Sequence, residues 1–246
     1  MLFRDETPYE VRFFEAAFEK YAKCDVHRLF EPGCGSGRLV VAMAAKGYDV
    51  TGLDLSDAML DYMRKKLRRR KLTATAVKGD MTEFEFDVPF DAAFCTYNTF
   101  RHLLTEKDAV SHLRCVADSL TPGGIYMLGM HLTPEEDYDA VTEKFTMKSG
   151  GTELTTTIRV PHTDEKRRLE TLRVQLKAVR GSGKVIRIKS EFQLRLYTHT
   201  QLKRLFKKVS DQLELVGSYD FANDIDDPLP FNDELDEGLF VLRRRS

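Results

Sequence analysis

A glycine-rich loop, EPGCGSG, follows the apolar run RLF and constrains the fold more than any other stretch of this chain. Its glycines Gly33, Gly35 and Gly37 occupy every second position, and the apolar run LVVAMAA comes almost directly after them. Glycine permits a tight turn and allows another group to approach the main chain closely. A strand, a glycine turn and a helix in this order are typical of the ligand crevice at the carboxyl ends of the strands in a doubly wound sheet.

The chain up to about residue 131 alternates between two periodicities. Five strand-like runs, HRLFEP, YDVTGLD, LTATAVKGD, FDAAFCTYN and IYMLGMHL, are separated by helical runs or by turns such as TPGG. Ser56 is a good N-cap for the helix that begins at DAMLDYM, and the basic residues of that helix crowd its last turn, where the helix dipole favours them. Repeated units of this kind predict a mostly parallel sheet with helices on both faces.

Beyond about residue 132 the pattern changes to alternation with a period of two, in TELTTTIRV, LETLRVQLKAV and KVIRIKSEFQLRLY. These runs predict antiparallel strands with one wet face. A helix capped by Thr198 or Thr200 and two final strands follow. We therefore expect an α/β fold, a single domain over 1–246 with a doubly wound, mostly parallel, seven-stranded sheet and an antiparallel insertion over 144–198 after its fifth strand.

Composition narrows the class of protein. The 246 residues carry a formal net charge of −1 and are 42% hydrophobic, which is typical of a soluble globular protein and gives no general attraction to nucleic acid or anionic membranes. The charged N-terminus and the absence of a long apolar run predict neither a signal peptide nor a membrane span. The cysteines are not spaced for zinc, so we expect no metal and a cytoplasmic protein with reduced thiols, namely Cys24, Cys34, Cys95 and Cys115.

The glycine loop does not fit the dinucleotide pattern G-x-G-x-x-G/A, whose third position falls on Arg38 or Val40. What precedes it instead is an acid, and three successive strands each end in one: Glu31, Asp54 and Asp80. Such a rim repels a pyrophosphate and favours a nucleoside that carries a cation. A carboxylate at the position of Asp54 accepts hydrogen bonds from ribose hydroxyls in this class of sheet.

The motifs EPGCGSG, GLDLSDAML, GDM, FDAAFCTYNTFRHL and LTPGGIYML, in this order over about residues 27–131, resemble the class I S-adenosylmethionine-dependent methyltransferases. The position of the antiparallel insertion is similar to that in small-molecule N-methyltransferases of the amino-sugar and glycine/sarcosine type. The resemblance implies a Rossmann-like methyltransferase fold and S-adenosyl-L-methionine as the cofactor. It also implies a set of cofactor-binding residues: Glu31, Gly33, Gly35, Gly37, Asp54, Leu55, Met59, Asp80, Met81 and Asn98.

By this resemblance the glycine loop passes under the methionine part of the cofactor, with Glu31 near its amino end, and Asp54 binds the ribose. The adenine lies between two apolar side chains, Leu55 and Met59, with Asp80 and Met81 beside it. Two alternatives stay open from the residues alone. In the first, Leu55 and Met59 are core residues on the face of a helix. In the second, Asp80 merely caps a turn.

The candidates for catalysis follow the fourth and fifth strands, and they are His102, Tyr97 and His131. A general base is needed only if the acceptor begins protonated, and histidine has the pKa range for that task. Alternatively, His102 packs against the start of the next helix and Tyr97 fills the core. Arg101 either binds an acidic substrate or is solvated.

The sequence thus predicts transfer of a methyl group to nitrogen or oxygen of a small molecule, with no nucleic-acid or membrane partner. The basic run RKKLRRRK is interpreted as a solvated helix end. Three alternatives remain: an RNA methyltransferase, a protein methyltransferase, or a catalytically silent cofactor-binding module. The apolar face of the insertion roofs the substrate pocket, forms a homodimer contact, or does both.

Overall fold

The computed structural model describes residues 6–133 and 142–246. Its strands are β1 (Arg28–Pro32), β2 (Asp49–Asp54), β3 (Thr75–Lys78), β4 (Phe90–Cys95), β5 (Leu120–His131), β6 (Thr142–Ser149), β7 (Thr152–Asp164), β8 (Leu169–Arg180), β9 (Val185–Arg195), β10 (Leu213–Tyr219) and β11 (Glu237–Arg244). Its α-helices are α1 (Thr7–Tyr21), α2 (Arg38–Ala45), α3 (Asp57–Arg70), α4 (Glu106–Ser119) and α5 (His199–Lys207), and a 3₁₀ helix spans Thr99–His102.

Seven of these strands form one sheet in the order β10-β11-β5-β4-β1-β2-β3. The pairs β1/β2, β1/β4, β2/β3 and β4/β5 are parallel, whereas β11 is antiparallel to both β5 and β10. The predicted fold class, a mostly parallel seven-stranded sheet with an antiparallel insertion, is confirmed. The carboxyl ends of β1, β2 and β4 lie side by side, and this edge carries the glycine loop.

Helices cover both faces of the sheet because alternate strand residues point to opposite sides. In β1, the fully buried Leu29 packs in the cluster that contains the apolar residues of α1, α2 and α3, and its neighbour Phe30 packs in the cluster of α4 and α5. The predicted caps are present at Ser56 and at Thr198, where a complete capping box includes Gln201. No helix in the described part of the chain is long and apolar enough to cross a membrane.

The insertion forms a second sheet, an antiparallel meander in the order β6-β7-β8-β9. Its strands run from 142 to 195, close to the predicted 144–198. The alternation predicted for β8 is present, with half-buried Leu172 and Val174 on one face and exposed Arg173 on the other. The sequence did not predict β6, since Phe145 and Met147 alone alternate with polar residues there. The assignment of the whole chain to one domain remains a prediction.

Two further differences from the sequence interpretation have local causes. Helix α1 was not predicted, although Val11, Phe14 and Phe18 recur at helical spacing and are buried. The predicted turn TPGG lies inside β5, where the register with β4 shifts between Phe90 and Ala92 on one strand and between Leu120 and Ile125 on the other. The turn is therefore a bulge in a continuous strand rather than its beginning.

His112 of α4, interpreted from sequence as peripheral, is 0% exposed in the structure. One ring nitrogen lies 2.8 Å from the Met81 carbonyl oxygen and the other lies 2.8 Å from the Tyr126 hydroxyl. Burial lowers the pKa of His112 to about 4 from its ordinary value of 6.5. At pH values between about 4 and 6.5, the unfolded chain therefore binds more protons than the folded chain.

The stability of the fold should consequently fall as the pH decreases from about 6.5 to 4, by at most about 1.4 kcal/mol per pH unit from this one histidine. Urea unfolding at several pH values measures this slope. His112→Asn should lower stability at every pH and flatten the slope, while His162→Gln, a change at an exposed histidine, should leave the slope as it is. An unchanged slope in His112→Asn would contradict the assignment.

Candidate functional site

The glycine loop between β1 and α2 has a left-handed backbone at every second residue. Gly33, Gly35 and Gly37 have φ angles of +68°, +51° and +65°, a region that side chains disfavour. A Cβ atom on Gly37 would lie 2.3 Å from Cγ of Met63, so α3 packs directly against the start of α2. At Gly35 the space that a Cβ would fill is open for 4 Å. The main chain at Gly35 is thus exposed to a cavity, with no side chain in between.

Asp54, at the end of β2, holds this loop in place. The Gly35 amide donates a hydrogen bond to Asp54 Oδ2 at 2.7 Å, and the Ser56 amide donates one to Oδ1 at 2.8 Å. The sequence predicted a ribose-binding carboxylate here. The structure adds that the same carboxylate links the ends of β1 and β2. A carboxylate has about four acceptor positions, so both tasks are compatible.

Glu31, the acid before the loop, is buried in β1 and lines the cavity. Its Oε2 accepts a hydrogen bond from the Val40 amide at 3.2 Å. Burial raises the pKa of Glu31 to about 8, and the nearby Arg38 guanidinium opposes that rise. The site therefore contains a carboxyl group whose charge depends on what cation lies next to it.

Helix α1 is joined to the site by a buried carboxylate that the sequence analysis did not identify. Glu10, 2% exposed, forms an ion pair with Arg38 at the start of α2. The Thr96 hydroxyl donates to Glu10 Oε1 at 3.1 Å, and Arg38 Nη1 donates to the Thr7 hydroxyl at 2.9 Å. The N-terminal end of α1 thus forms one wall of the site.

The chain leaves β4 in an unusual conformation. Tyr97 and Asn98 both have positive φ angles, of 52° and 66°, which for two consecutive non-glycine residues costs of order 1–3 kcal/mol each. The Tyr97 hydroxyl donates to Glu6 Oε2 at 2.8 Å. The centre of its ring lies 5.3 Å from the Arg38 guanidinium and 5.3 Å from the centre of the Phe221 ring. Tyr97 therefore borders the cavity and does not fill the core.

Asn98 and His131 are held together at the ends of β4 and β5. The His131 amide donates to Asn98 Oδ1 at 2.9 Å, so the Asn98 amide nitrogen faces His131 Nδ1, 2.7 Å away. Nδ1 must accept that bond, which leaves the proton on Nε2, 3.5 Å from Glu237 Oε2. Burial lowers the pKa of His131. Its lone pair is engaged here, so a catalytic role for His131 stays a prediction.

His102 lies at the end of the 3₁₀ helix, with its ring 5.3 Å from that of Phe192 in β9. Burial lowers the pKa of His102, and the positive charge of Arg101 lowers it further. The ring is therefore neutral near pH 7 and able to accept a proton. It is not among the residues that line the cavity, and its catalytic role also stays a prediction.

Arg101, next to it, is neither solvated nor available to an acidic substrate. It is 5% exposed and forms an ion pair with Glu170 of β8, which is 3% exposed. Its Nε donates to the Arg195 carbonyl oxygen at 2.8 Å, and its Nη1 donates to Asn98 Oδ1 at 3.3 Å. Arg101 thus connects the insertion sheet to the loop that carries Asn98.

The residues expected to surround an adenine lie on the exposed side of the loop. Leu55 is 64% exposed and Met59 is 47% exposed, so the alternative that they are helix-face core is wrong. Asp80 Oδ1 accepts hydrogen bonds from the amide and the hydroxyl of Thr82, both at 2.8 Å, which is the turn-capping role. Met81 is half-buried and lies against Gly33. Adenine contacts by these residues remain predictions.

A cavity of about 900 Å³ opens beside the glycine loop. It brings together Glu31, Gly33, Gly35 and Tyr97 of the predicted site. Its other walls come from α1, from α3 and from the insertion sheet, whose Leu154 and Leu176 form an apolar roof. The lining excludes the other predicted cofactor and catalytic residues, which are Gly37, Asp54, Leu55, Met59, Asp80, Met81, Asn98, His102 and His131.

Comparison with known families supports the resemblance. Residues 30–124 match the family model described as a methyltransferase domain. A relative named as a putative methyltransferase, from Geobacillus sp. (strain WCH70), is 28% identical over 136 residues, which cover 54% of this chain and 55% of the relative. The chain spans about half the length of the curated relatives it matches first, or less. The resemblance predicted from the motifs is confirmed.

Two further similarities cover more of the chain. The dTDP-3-amino-3,6-dideoxy-alpha-D-glucopyranose N,N-dimethyltransferase of Streptomyces fradiae is 24% identical over 188 residues, 76% of this chain and 71% of that protein. The crystal structure of an S-adenosylmethionine-dependent methyltransferase from Clostridium acetobutylicum ATCC 824 superposes with a TM-score of 0.79 over 100% of this chain and 93% of that one, at 15% identity. At that identity the structural likeness shows the fold alone.

Proposed function

We propose that this chain is an S-adenosylmethionine-dependent methyltransferase that transfers a methyl group to a nitrogen or oxygen atom of a small molecule. One observation carries the proposal. Three left-handed glycines expose the main chain after β1, and the carboxylate that ends β2 holds that loop at Gly35. Carboxylates at the ends of successive strands suit a ribose and a cation and disfavour a pyrophosphate.

The residues present fit that cofactor. The open space in front of Gly35 admits a ligand against bare main chain, and Asp54 retains acceptor capacity for ribose hydroxyls. The exposed apolar pair Leu55 and Met59 is available to an adenine face. Glu31 would accept hydrogen bonds from the cofactor's amino group. When bound, the sulfonium supplies a methyl group that is already activated, so the chain itself needs no strong nucleophile.

What the chain's own residues contribute is orientation, exclusion of water and removal of a proton. Tyr97 lines the cavity and is fixed by its hydrogen bond to Glu6, so it forms a rigid wall where the acceptor must be held in line. Leu154 and Leu176 form an apolar roof that keeps water out. His102, neutral because its pKa is lowered, is the residue we propose as general base for an acceptor that enters protonated.

An amino group is the acceptor that the similarities favour. The Streptomyces fradiae relative is named for N-methylation of a nucleotide-linked amino sugar. We therefore place amines, and amino sugars in particular, first among the acceptors.

A screen for S-adenosylhomocysteine formation with amino sugars, amino acids, simple amines and phenols tests the function. Turnover of an amine, lowered by His102→Ala without a change in cofactor affinity, is the expected result. Cofactor binding without turnover of any acceptor class would indicate a catalytically silent module, and turnover only on RNA or protein would indicate the macromolecular alternatives.

The pH dependence of cofactor binding gives a second test. Because the pKa of Glu31 is about 8 in the unliganded protein, this carboxyl is protonated at pH 6 and must lose its proton to pair with a cationic amino group. Affinity for S-adenosylmethionine should therefore increase from pH 6 to pH 8, by at most about tenfold per unit. Calorimetry at pH 6, 7 and 8 measures it. Glu31→Gln should bind more weakly at pH 8 and show little pH dependence; an equal slope in this variant would exclude the pairing.

A further inference from the structure

A buried polar chain links α4 and β5 to the turn after β3, and the chemistry proposed above does not use it. His112 of α4 is 0% exposed, and so is Tyr126 of β5. His112 Nδ1 lies 2.8 Å from the Met81 carbonyl oxygen, and Nε2 lies 2.8 Å from the Tyr126 hydroxyl. The side chain of Met81 in turn lies against Gly33, with its Sδ 3.6 Å from where a Cβ atom of that glycine would be. A buried histidine is thus connected to a residue that contacts the glycine loop.

The direction of each hydrogen bond in this chain follows from one atom. The carbonyl oxygen of Met81 can only accept, so His112 Nδ1 must carry a proton. Burial lowers the pKa of His112 to about 4, so the ring is neutral near pH 7 and Nε2 carries no proton. Nε2 therefore accepts from the Tyr126 hydroxyl. Both ring nitrogens are satisfied without a charge, which fixes one tautomer.

The peptide unit between Met81 and Thr82 is held at both of its polar ends. Its carbonyl oxygen accepts from His112, and its N–H group donates to Asp80 Oδ1 at 2.8 Å. The next carbonyl oxygen, that of Thr82, accepts from the Ser111 hydroxyl of α4 at 2.8 Å. Asp80 is exposed, and Met81 and Thr82 are only half-buried. The conformation of this turn therefore depends on these hydrogen bonds more than on burial.

The same turn leaves a donor and an acceptor available on consecutive residues. Within residues 6–133 and 142–246, neither the Met81 amide nor Asp80 Oδ2 makes a hydrogen bond. On its Watson–Crick edge, adenine presents an acceptor, N1, beside the donor of its amino group, and this pattern complements the pair. Hypoxanthine presents a donor at N1 beside an acceptor oxygen, which is the reverse. The turn is thus suited to distinguish the two bases.

We propose that His112 is a positioning residue for the nucleobase of the cofactor: it holds the Met81 carbonyl oxygen and so orients the Met81 amide and the Asp80 carboxylate toward the edge of adenine. This inference rests on the proposed function, because it concerns the adenosyl part of the same cofactor. A site whose polar groups are held in place rejects an analogue that leaves them unpaired. Specificity for adenine therefore depends on a side chain of α4 that does not touch the ligand.

Calorimetric titration of S-adenosylhomocysteine and of S-inosylhomocysteine, in which hypoxanthine replaces adenine, tests this role. The unaltered chain should bind the adenosyl compound at least about tenfold more tightly. His112→Leu should reduce this ratio to less than about threefold, because the Met81 carbonyl oxygen loses its donor. His112→Asn should retain most of the ratio, since the side-chain nitrogen of asparagine, like Nδ1 of histidine, is one bond beyond Cγ. Both variants should lose stability, so the ratio of affinities identifies positioning.

The matched control is Tyr219→Phe. It removes the hydroxyl of another fully buried side chain, which is hydrogen-bonded to Tyr21 and not to the turn, and it should lower stability without changing the ratio. An unchanged ratio in His112→Leu, an equal fall in Tyr219→Phe, or equal binding of both compounds by the unaltered chain would overturn the positioning role and leave the proposed function intact. If S-adenosylhomocysteine does not bind the unaltered chain, the proposed function fails, and the positioning role fails with it.

A spectroscopic measurement decides the question even if His112→Leu does not fold. Nitrogen-15 NMR of the histidine-labelled, unaltered chain should show His112 as the neutral tautomer with its proton on Nδ1. The Nδ1 resonance should shift when S-adenosylhomocysteine binds, and its disappearance in His112→Asn assigns it. A proton on Nε2, or an Nδ1 resonance that saturating S-adenosylhomocysteine does not move, would contradict the role given to His112.

Discussion

Arg101→Ala is expected to lower the free energy of unfolding by about 3–5 kcal/mol, because it leaves a buried carboxylate without its cation. Its partner Glu170 is 3% exposed, and the second carboxylate oxygen, Oε2, already has no hydrogen-bond partner among the described residues. The change also removes the bonds from Arg101 to the Arg195 carbonyl oxygen and to Asn98. Urea unfolding of the variant measures the loss.

Two controls separate this loss from a general effect of charge. Arg173→Ala breaks an ion pair with Glu191 on the same insertion sheet. The side chains of Arg173 and Glu191 are 62% and 54% exposed, so this variant should lose at most about 1 kcal/mol of unfolding free energy. The double variant Arg101→Met/Glu170→Met should recover most of the stability, since apolar replacement of a buried pair is often near neutral. A cost for Arg101→Ala no larger than that for Arg173→Ala would contradict the buried pair.

Asp54→Ala is expected to weaken S-adenosylhomocysteine binding by at least about 100-fold, which corresponds to about 2.7 kcal/mol. The variant loses the acceptors for the Gly35 and Ser56 amides, which lie 2.7 and 2.8 Å from the carboxylate, and it loses the proposed ribose contact. Hydrogen bonds to a charged group contribute roughly 1.5–3 kcal/mol each. The loss of two hydrogen bonds from the ribose to Asp54 is therefore enough for the predicted effect.

Asp57→Ala is the matched control for that experiment. Asp57 lies three residues further on, and its exposed carboxylate pairs with Lys78 at 2.5 Å on the surface; its removal should change the affinity by less than twofold. Asp54→Asn keeps the shape of the side chain and one acceptor oxygen. Its affinity for S-adenosylhomocysteine should therefore lie between those of Asp54→Ala and Asp57→Ala. A thermal melt without ligand shows whether each variant is folded. A folded Asp54→Ala protein with unaltered affinity would refute the role given to this residue.

The parts of the fold and site that the sequence predicted are those encoded locally. The alternation of strands and helices and the glycine spacing depend on neighbouring residues, so Gly33 to Gly37, Asp54 and the cap at Ser56 were identified correctly as local features. Leu55 and Met59 are exposed, which excludes the alternative that they are helix-face core, but their contact with an adenine stays a prediction.

What the sequence did not predict depends on contacts between distant segments. Glu10 pairs with Arg38 from 28 residues away, and Arg101 pairs with Glu170 from 69 residues away; no local pattern indicates either partner. The left-handed backbone at Tyr97 is equally unexpected, because a tyrosine rarely adopts a positive φ, and Asn98 only tolerates this region without requiring it. The basic run at the end of α3 was interpreted as a solvated helix end, and only the structure shows that Lys66, Arg69 and Arg70 line the cavity.

The central claim is that the loop from Gly33 to Gly37 and the carboxylate of Asp54 together hold an adenosyl compound with a sulfur centre. A crystal structure of the protein grown with S-adenosylhomocysteine tests this claim most directly. We predict electron density for the ligand against the main chain of Gly35, with its ribose hydroxyls within hydrogen-bonding distance of Asp54. Density for the ligand elsewhere, or an empty crevice at saturating ligand, would contradict the account.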